Sequence, residues 1–272
     1  MKANKTQMID VSKYRGSAQF GEAYRIMCEN DAHALGSVDR VLTENMIRLC
    51  EETAEYLYAA YTPTIAARKE GRRPVLEECV KKITSGYRSD EERIEAITRF
   101  TSGLKDDSDL ESMQFGGTEE EIMARGSEWC TDVARVGCAL SQIAGFPARM
   151  VYLFDKTKAY HGHVIIEVYR NSTWGALDTS TDVAYRHEDG KPASLWELVN
   201  SPALIEKHYK GYSTYYTTVS QFGCVAIANY LVRDRQKYDY AVSGINGYYR
   251  SILRMSEKGW PGGFRWLHGE DE

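Results

Sequence analysis

The sequence predicts an α+β protein in which helices precede and follow a small antiparallel sheet. Two observations support this class. Apolar side chains recur with helical spacing through the first hundred residues, and between about residues 127 and 185 a helix is followed closely by two or three strands and a hairpin. We therefore divide the chain into an N-terminal helical extension (1–84), a core (85–185) and a tyrosine-rich C-terminal segment packed on that core (186–272).

The N-terminal extension contains two predicted helices. The first begins at Ser37 and ends before Pro63, because one 3.6-residue stripe runs through it: Val38, Leu42, Met46, Leu49, Tyr56, Leu57 and Ala60. A loop at 71–74, which contains glycine and proline, separates it from the second helix, predicted at 75–84.

Two capping boxes predict the next helices. Ser89 is followed three residues later by Glu92, and this helix is expected to stop at Gly103. Thr118 and Glu121 repeat the pattern and begin a short helix.

Composition and charge exclude several classes of protein. The 272 residues carry 34 Lys and Arg against 39 Asp and Glu, a net charge of −5, and the two signs are interspersed, which disfavours nucleic-acid binding. No run approaches the roughly 18 apolar residues of a membrane span, and the N-terminus leads into no apolar signal segment. The six cysteines are irregularly spaced. Without an export signal, they predict reduced thiols in a cytoplasmic protein.

One cysteine lies where a helix is predicted to begin. Small or apolar residues at 133, 136, 137, 140, 143 and 144 give that helix a continuous buried face, and Gly145 followed by Pro147 ends it. Cys130 then occupies the N-terminal end, where unpaired backbone N–H groups and the helix dipole favour a thiolate. Its own N–H is a candidate donor to an oxyanion. Cys138, two turns further in, is predicted to be a buried structural thiol. On this argument alone, an equally inert Cys130 fits as well.

A predicted hairpin supplies partners for Cys130. Residues 148–154, 163–169 and 173–177 have the composition of strands, and a turn at 170–172 joins the last two. If the turn is centred between residues 170 and 171, His163 lies directly opposite Asp178. Centring it one residue later makes them diagonal neighbours on one face. An aspartate that accepts from one imidazole nitrogen leaves the other free to take a thiol proton. His161 has the same parity, so the register does not choose between the histidines.

A metal site at the same histidines is the weaker interpretation. His161 and His163 have a spacing compatible with metal ligation, but a protein site needs a third and usually a fourth ligand on the same face. No spacing in the sequence suggests these ligands, so we expect no metal. Whichever histidine does not take part in the chemistry is expected to be structural.

The residues around these positions resemble the transglutaminase-like superfamily. Three blocks carry the resemblance: Trp129-Cys130-x-Asp132-x-Ala134 with 145–151, His163-x-x-x-Glu167 with Trp174, and Leu177-Asp178-Thr179-Ser180. Their order and spacing agree with the family across roughly residues 85–185. The resemblance implies a papain-like α+β catalytic core, a thiol nucleophile, and His163 rather than His161 as the histidine of the site.

Two stretches depart from the family pattern. Ile165 stands where many relatives have an aromatic residue. The residues before the cysteine, Ser-Glu-Trp at 127–129, differ from the glycine-centred segment that is more usual in the family. Both border the expected acyl cleft and therefore concern the substrate. Trp129 is expected to wall the cleft or to donate its indole N–H, packing being the commoner role.

Together these features predict a cysteine-dependent hydrolase or acyltransferase. Cys130 forms a thioester from a peptide, amide or glycopeptide carbonyl, with His163 as base and then acid, Asp178 orienting it, and Trp129 and His161 as candidate cleft or oxyanion contributors. Water or an amine completes the reaction, and no cofactor is expected. The alternative is a non-catalytic protein- or glycan-interaction module on the same scaffold. The presence of all three chemical residues favours the enzyme, whereas the oligomeric state is not indicated.

Overall fold

The computed structural model describes residues 9–15, 46–60, 69–104, 114, 116–127, 129–154, 162–201, 203–206 and 224–228. A six-stranded antiparallel sheet lies at the centre, in the spatial order β1-β6-β2-β3-β4-β5. The strands are β1 (Ile47–Arg48), β2 (Ala148–Phe154), β3 (Gly162–Arg170), β4 (Thr173–Asp178), β5 (Val183–Ala184) and β6 (Cys224–Ala228). Helices and an antiparallel sheet in one chain confirm the predicted α+β class.

The helices flank this sheet in sequence. A 3₁₀ turn (Val11–Tyr14) comes first, and α1 (Glu51–Ala54) continues as a π-helical stretch (Glu55–Ala60). The others are α2 (Pro74–Ile83), α3 (Asp90–Ser102), α4 (Glu119–Arg125), α5 (Cys130–Ile143), α6 (Leu195–Asn200) and α7 (Ala203–Glu206). No helix in the described part of the chain has the length and apolar character needed to cross a membrane.

Two apolar clusters cover opposite faces of the sheet. Alternate strand residues such as Met150 and Ile166 pack with α2, α3, α4 and α5 in the first cluster. Their neighbours Val151 and Ile165 pack with Leu57 and the residues of α6 in the second. Because successive strand side chains point to opposite faces, both faces of the sheet are buried, and the fold has three layers.

Several predicted elements are confirmed. Both capping boxes form, since the Glu92 N–H donates to Ser89 Oγ at 3.2 Å and the Glu121 N–H donates to Thr118 Oγ1 at 3.2 Å. α5 begins at Cys130, as predicted. It ends before Gly145, whose φ of +96° is the left-handed conformation expected of a helix-terminating glycine.

The prediction of one long N-terminal helix is wrong where the structure describes these residues. Ile47 and Arg48 form strand β1, paired with Ile227 and Ala226, and the helix begins only at Glu51. Met46, Ile47 and Leu49 are all buried, so pairing of this segment with the distant strand β6 overrides the helical spacing of Met46 and Leu49. The predicted positions 37–45 and 61–63 lie outside the described residues, as does most of the tyrosine-rich segment.

The sheet also extends beyond the range 85–185 that the sequence assigned to the core. Strand β1 comes from the N-terminal extension and β6 from the C-terminal segment, and together they form the edge beside β2. Three strands were predicted from the sequence, whereas the described sheet contains six.

A buried ion pair joins β2 to β3. The Arg149 guanidinium lies 2.7 Å from a carboxylate oxygen of Glu167, and both side chains are almost fully buried. Glu167 also accepts hydrogen bonds from the Tyr58 hydroxyl at 3.0 Å and from the Leu195 N–H at 2.7 Å. The guanidinium stacks on the Trp174 ring, 3.8 Å from its centroid. This carboxylate therefore ties the N-terminal segment and α6 to the sheet that carries the site.

Candidate active site

Cys130 is the first residue of α5. Trp129 precedes it as the N-cap with extended backbone angles, and no side chain of Trp129 caps the helix. The N–H groups of the first turn have no acceptor within the helix, and they lie at the same end of α5 as Cys130. Cys130 and Trp129 are both half-buried and pack against the first apolar cluster. The thiol therefore stands at the edge of the core, beside the positive end of the helix dipole.

Polar contacts hold the approach to Cys130 in place. The Trp129 N–H donates to Ser127 Oγ at 3.1 Å, and that hydroxyl in turn donates to Asp132 Oδ2 at 3.3 Å. The same carboxylate oxygen accepts from the Gly116 N–H at 2.8 Å and from Arg125 Nη2 at 3.1 Å. Burial raises the pKa of Asp132, while the nearby cations and hydrogen bonds oppose that shift. The segment before the nucleophile is thus tied to the first turn of its own helix.

His163 lies near the start of β3, and Asp178 ends β4. The observed register pairs Ile166 with Leu177, which makes His163 and Asp178 diagonal neighbours on one face. The second of the two predicted registers is therefore correct, and direct opposition is wrong. The physical reason is the turn. Asn171 and Ser172 both have positive φ, +50° and +63°, as a two-residue type I′ hairpin requires, so Arg170 stays in the strand.

The two side chains form a short, buried contact. His163 Nε2 lies 2.8 Å from Asp178 Oδ2, and the two residues are 5% and 0% exposed. The Ser180 N–H donates to the other carboxylate oxygen at 2.9 Å. Both oxygens of Asp178 are therefore engaged, which restricts rotation of the carboxylate and holds the imidazole ring.

His163 also interacts with the side chain of Cys130. Burial by itself would lower the pKa of His163, but the charge and hydrogen bond of Asp178, together with a hydrogen bond to the Cys130 side chain, raise it to about 10. Since Nε2 is engaged by Asp178, Nδ1 is the ring nitrogen available to the thiol. The fold thus brings Cys130, His163 and Asp178 together, from three separate segments.

The other candidate residues have different outcomes. Trp129 is adjacent to the thiol, as its position in the sequence requires, whereas His161 lies outside the described residues. Cys138 is completely buried, and burial raises the pKa of its thiol. The cysteines whose side chains are described, Cys50, Cys79, Cys130 and Cys138, are free thiols. Among the described residues, no group of three His, Cys, Asp or Glu side chains could hold a metal ion.

Sequence reasoning missed the polar support beneath α5. Arg135 of α5 is fully buried, donates to the Gly117 carbonyl at 2.8 Å and lies 3.4 Å from the buried Glu119. Glu119 is shared with Arg73, whose Nη2 lies 2.6 Å away. The available signal was a helix with small or apolar residues on nearly every face that still carries Asp132 and Arg135, because buried charges require partners.

A family model matches the part of the chain that carries this geometry. Residues 77–179 match the model of the transglutaminase-like superfamily, and the matched range contains all three residues of the site. The resemblance stated from the sequence is thereby confirmed over that range. No curated protein matches the chain. A solved structure of a "putative cysteine protease" from Cytophaga hutchinsonii is similar at 19% identity and a TM-score of 0.34, over 56% of this chain and 48% of that one. So distant a likeness carries no functional argument.

Proposed function

Because residues 77–179 match the model of the transglutaminase-like superfamily, we propose that this chain is a cysteine-dependent acyl-transfer enzyme. Cys130 is the nucleophile, His163 the general base and acid, and Asp178 the residue that orients His163. The observation that carries the proposal is the 2.8 Å contact of His163 Nε2 with Asp178 Oδ2, on an imidazole whose pKa is also raised by its interaction with the Cys130 side chain. A structural histidine would need no thiol at a helix N-terminus beside it.

The first half-reaction forms a thioester. With its pKa raised to about 10, His163 holds a proton at neutral pH, and this imidazolium is the proposed counter-ion of the attacking Cys130 sulfur. The sulfur attacks the carbonyl carbon of a peptide, amide or glycopeptide substrate, and the carbonyl oxygen takes the negative charge. When the tetrahedral intermediate collapses, the C–N bond breaks and the leaving amine takes the proton from His163.

The second half-reaction releases the acyl group. His163, now neutral, accepts a proton from water or from an acceptor amine as that nucleophile attacks the thioester. The C–S bond breaks and Cys130 returns as the thiolate. Water gives a peptidase or amidase, and an amine gives an acyltransferase. Asp178 stabilises the imidazolium in both halves without itself being protonated.

The oxyanion site is proposed at the beginning of α5. The Trp129 N–H is used by Ser127, so the nearest backbone donor is the N–H of Cys130 itself, which has no acceptor within the helix. Trp129, half-buried beside the thiol, is proposed as a wall of the acyl cleft. His161 remains a candidate contributor from the sequence alone, and a cytoplasmic location likewise remains a prediction from the cysteine pattern.

The test is to trap the acyl-enzyme and to measure the reactivity of the thiol. We expect intact-mass spectrometry of the protein with a pool of peptide and amide donors to find a hydroxylamine-sensitive adduct, absent from Cys130→Ala. We also expect iodoacetamide near neutral pH to alkylate Cys130 at least tenfold faster than Cys79. Cys79 is a matched control because it too is half-buried and a free thiol, but burial raises its pKa.

The same experiment distinguishes the alternative. If Cys130 is alkylated no faster than Cys79 and no adduct forms, the activated-nucleophile proposal is wrong. The non-catalytic interaction module would then be the better description of this chain.

A further inference from the structure

The helix that carries Cys130 closely approaches Thr179, the residue that directly follows β4. Gly137 lies in the middle of α5, and a Cβ atom placed there would lie 2.7 Å from Thr179 Cγ2 and 3.5 Å from Ile166 Cδ1. Real Cβ atoms essentially never come within 3.0 Å of such a neighbour. Only a residue without a side chain therefore allows this helix–sheet distance.

The neighbour that Gly137 meets directly follows the aspartate of the site. Thr179 is completely buried, and a β-branched side chain has few alternative rotamers. Its hydroxyl has no hydrogen-bond partner among the described residues. The described contact of the Thr179 side chain is therefore the packing of its methyl group against α5. A side chain at position 137 would therefore push the helix rather than displace Thr179.

The spacing connects this contact to the nucleophile. Cys130 is seven residues before Gly137, which is close to two helical turns, so both lie on the same stripe of α5, about 10 Å apart along the axis. The face that Gly137 presses against Thr179 is thus the face that presents Cys130 to His163. Moving the helix outward at Gly137 moves the thiol away from the imidazole.

We infer that Gly137 is a positioning residue: its contact with Thr179 determines how closely Cys130 approaches His163 and Asp178. The inference rests on the proposed function, since it concerns the geometry of that same site. A displacement of about 1 Å at reacting groups can cost on the order of 100-fold in rate. Gly137→Ala is therefore expected to slow alkylation of Cys130 and turnover by roughly 10- to 100-fold.

A second substitution makes the test specific. Thr179→Ser removes the methyl group that the new Cβ would strike and keeps the hydroxyl, leaving Thr179 Cβ at an ordinary 3.5 Å. We expect the double variant Gly137→Ala/Thr179→Ser to recover most of the lost alkylation rate. Gly103→Ala is the matched control. Gly103 ends α3, has an ordinary negative φ, and its added Cβ would meet nothing closer than 3.4 Å.

The readout separates positioning from folding. Iodoacetamide alkylation of Cys130 is followed across pH on folded protein, and urea unfolding is measured in parallel. If Gly137→Ala leaves alkylation at the wild-type rate, or if the double variant stays as slow as the single one, the inference is overturned. A gain in stability with full reactivity would overturn it most directly, because alanine is the better helix former wherever it fits. An unreactive Cys130 in the wild type would instead refute the proposed function.

Discussion

The charge on Asp178 controls the protonation of His163, and this can be tested by Asp178→Asn. Asparagine keeps the shape of the side chain and removes its negative charge, 2.8 Å from Nε2. In the native site, burial favours the neutral ring, and Asp178, with a smaller contribution from Cys130, overrides burial and raises the pKa of His163 to about 10. Without the charge, burial prevails, and we expect the pKa of His163 to fall below its ordinary value of 6.5.

The magnitude follows from linkage between protonation and folding. A raised pKa stabilises the fold fully below the ordinary value of 6.5, and this stabilisation is lost as pH rises to about 10. Each pKa unit corresponds to about 1.4 kcal/mol, so the upper limit is about 5 kcal/mol in the native site, and it is lower in a Cys130→Ala background because Cys130 contributes to the raised pKa. In Asp178→Asn, the contribution of His163 protonation to the free energy of unfolding changes sign. A buried neutral histidine adds stability above its unfolded pKa and loses it as the pH falls. The difference in free energy of unfolding should therefore be largest near pH 6 and shrink toward pH 10.

The assay is urea unfolding at about pH 6, 8 and 10, in a Cys130→Ala background so that this thiol does not titrate. Taking the difference between the two proteins cancels the ionisation of tyrosines and lysines common to both. Asp189→Asn is the control, because Asp189 is exposed and pairs with Lys191. The difference in free energy of unfolding between Asp189→Asn and the parent should stay constant from pH 6 to pH 10. Parallel stability curves for the parent and Asp178→Asn would refute the assignment of a charged, Asp178-stabilised imidazolium.

Two further substitutions test the support of the site. Glu167→Gln removes the anionic partner of buried Arg149 and should cost about 3–5 kcal/mol in urea unfolding, whereas Glu121→Gln, at an exposed capping box, should cost under about 1 kcal/mol. Equal losses would contradict the burial argument. Ser127→Ala removes the acceptor of the Trp129 N–H and should cost about 1 kcal/mol. It should also slow alkylation of Cys130, and an unchanged rate would show that this contact does not position the thiol.

Local chemistry explains why much of the fold was predictable. The capping boxes at Ser89 and Thr118, and the start and stop of α5, depend on side chains within a few residues of one another. The strands β2, β3 and β4 follow from short apolar runs and a turn. Asp178 was recognisable as a partner for His163 because neighbouring strands of a hairpin bring a small, countable set of residues together.

Other features depend on contacts that are remote in sequence. Strand β1 forms because Ile47 pairs with Ile227. No local sequence pattern predicts a pairing partner 180 residues away. The exact hairpin register required the positive φ angles at Asn171 and Ser172. The pKa of His163 likewise depends on the balance of burial against one charge, which sequence does not reveal.

The amino-acid sequence by itself determined the class of the fold, the helix that begins at Cys130 and the short set of residues able to act with it. Periodicity and capping are properties of neighbouring residues, so they can be recognised without knowledge of the rest of the chain. Only the tertiary structure decided that the thiol meets His163, that Asp178 lies diagonal to it, and that a glycine at position 137 permits the helix to approach so closely. Distances between distant segments are set by packing in three dimensions, where one methyl group can move a helix.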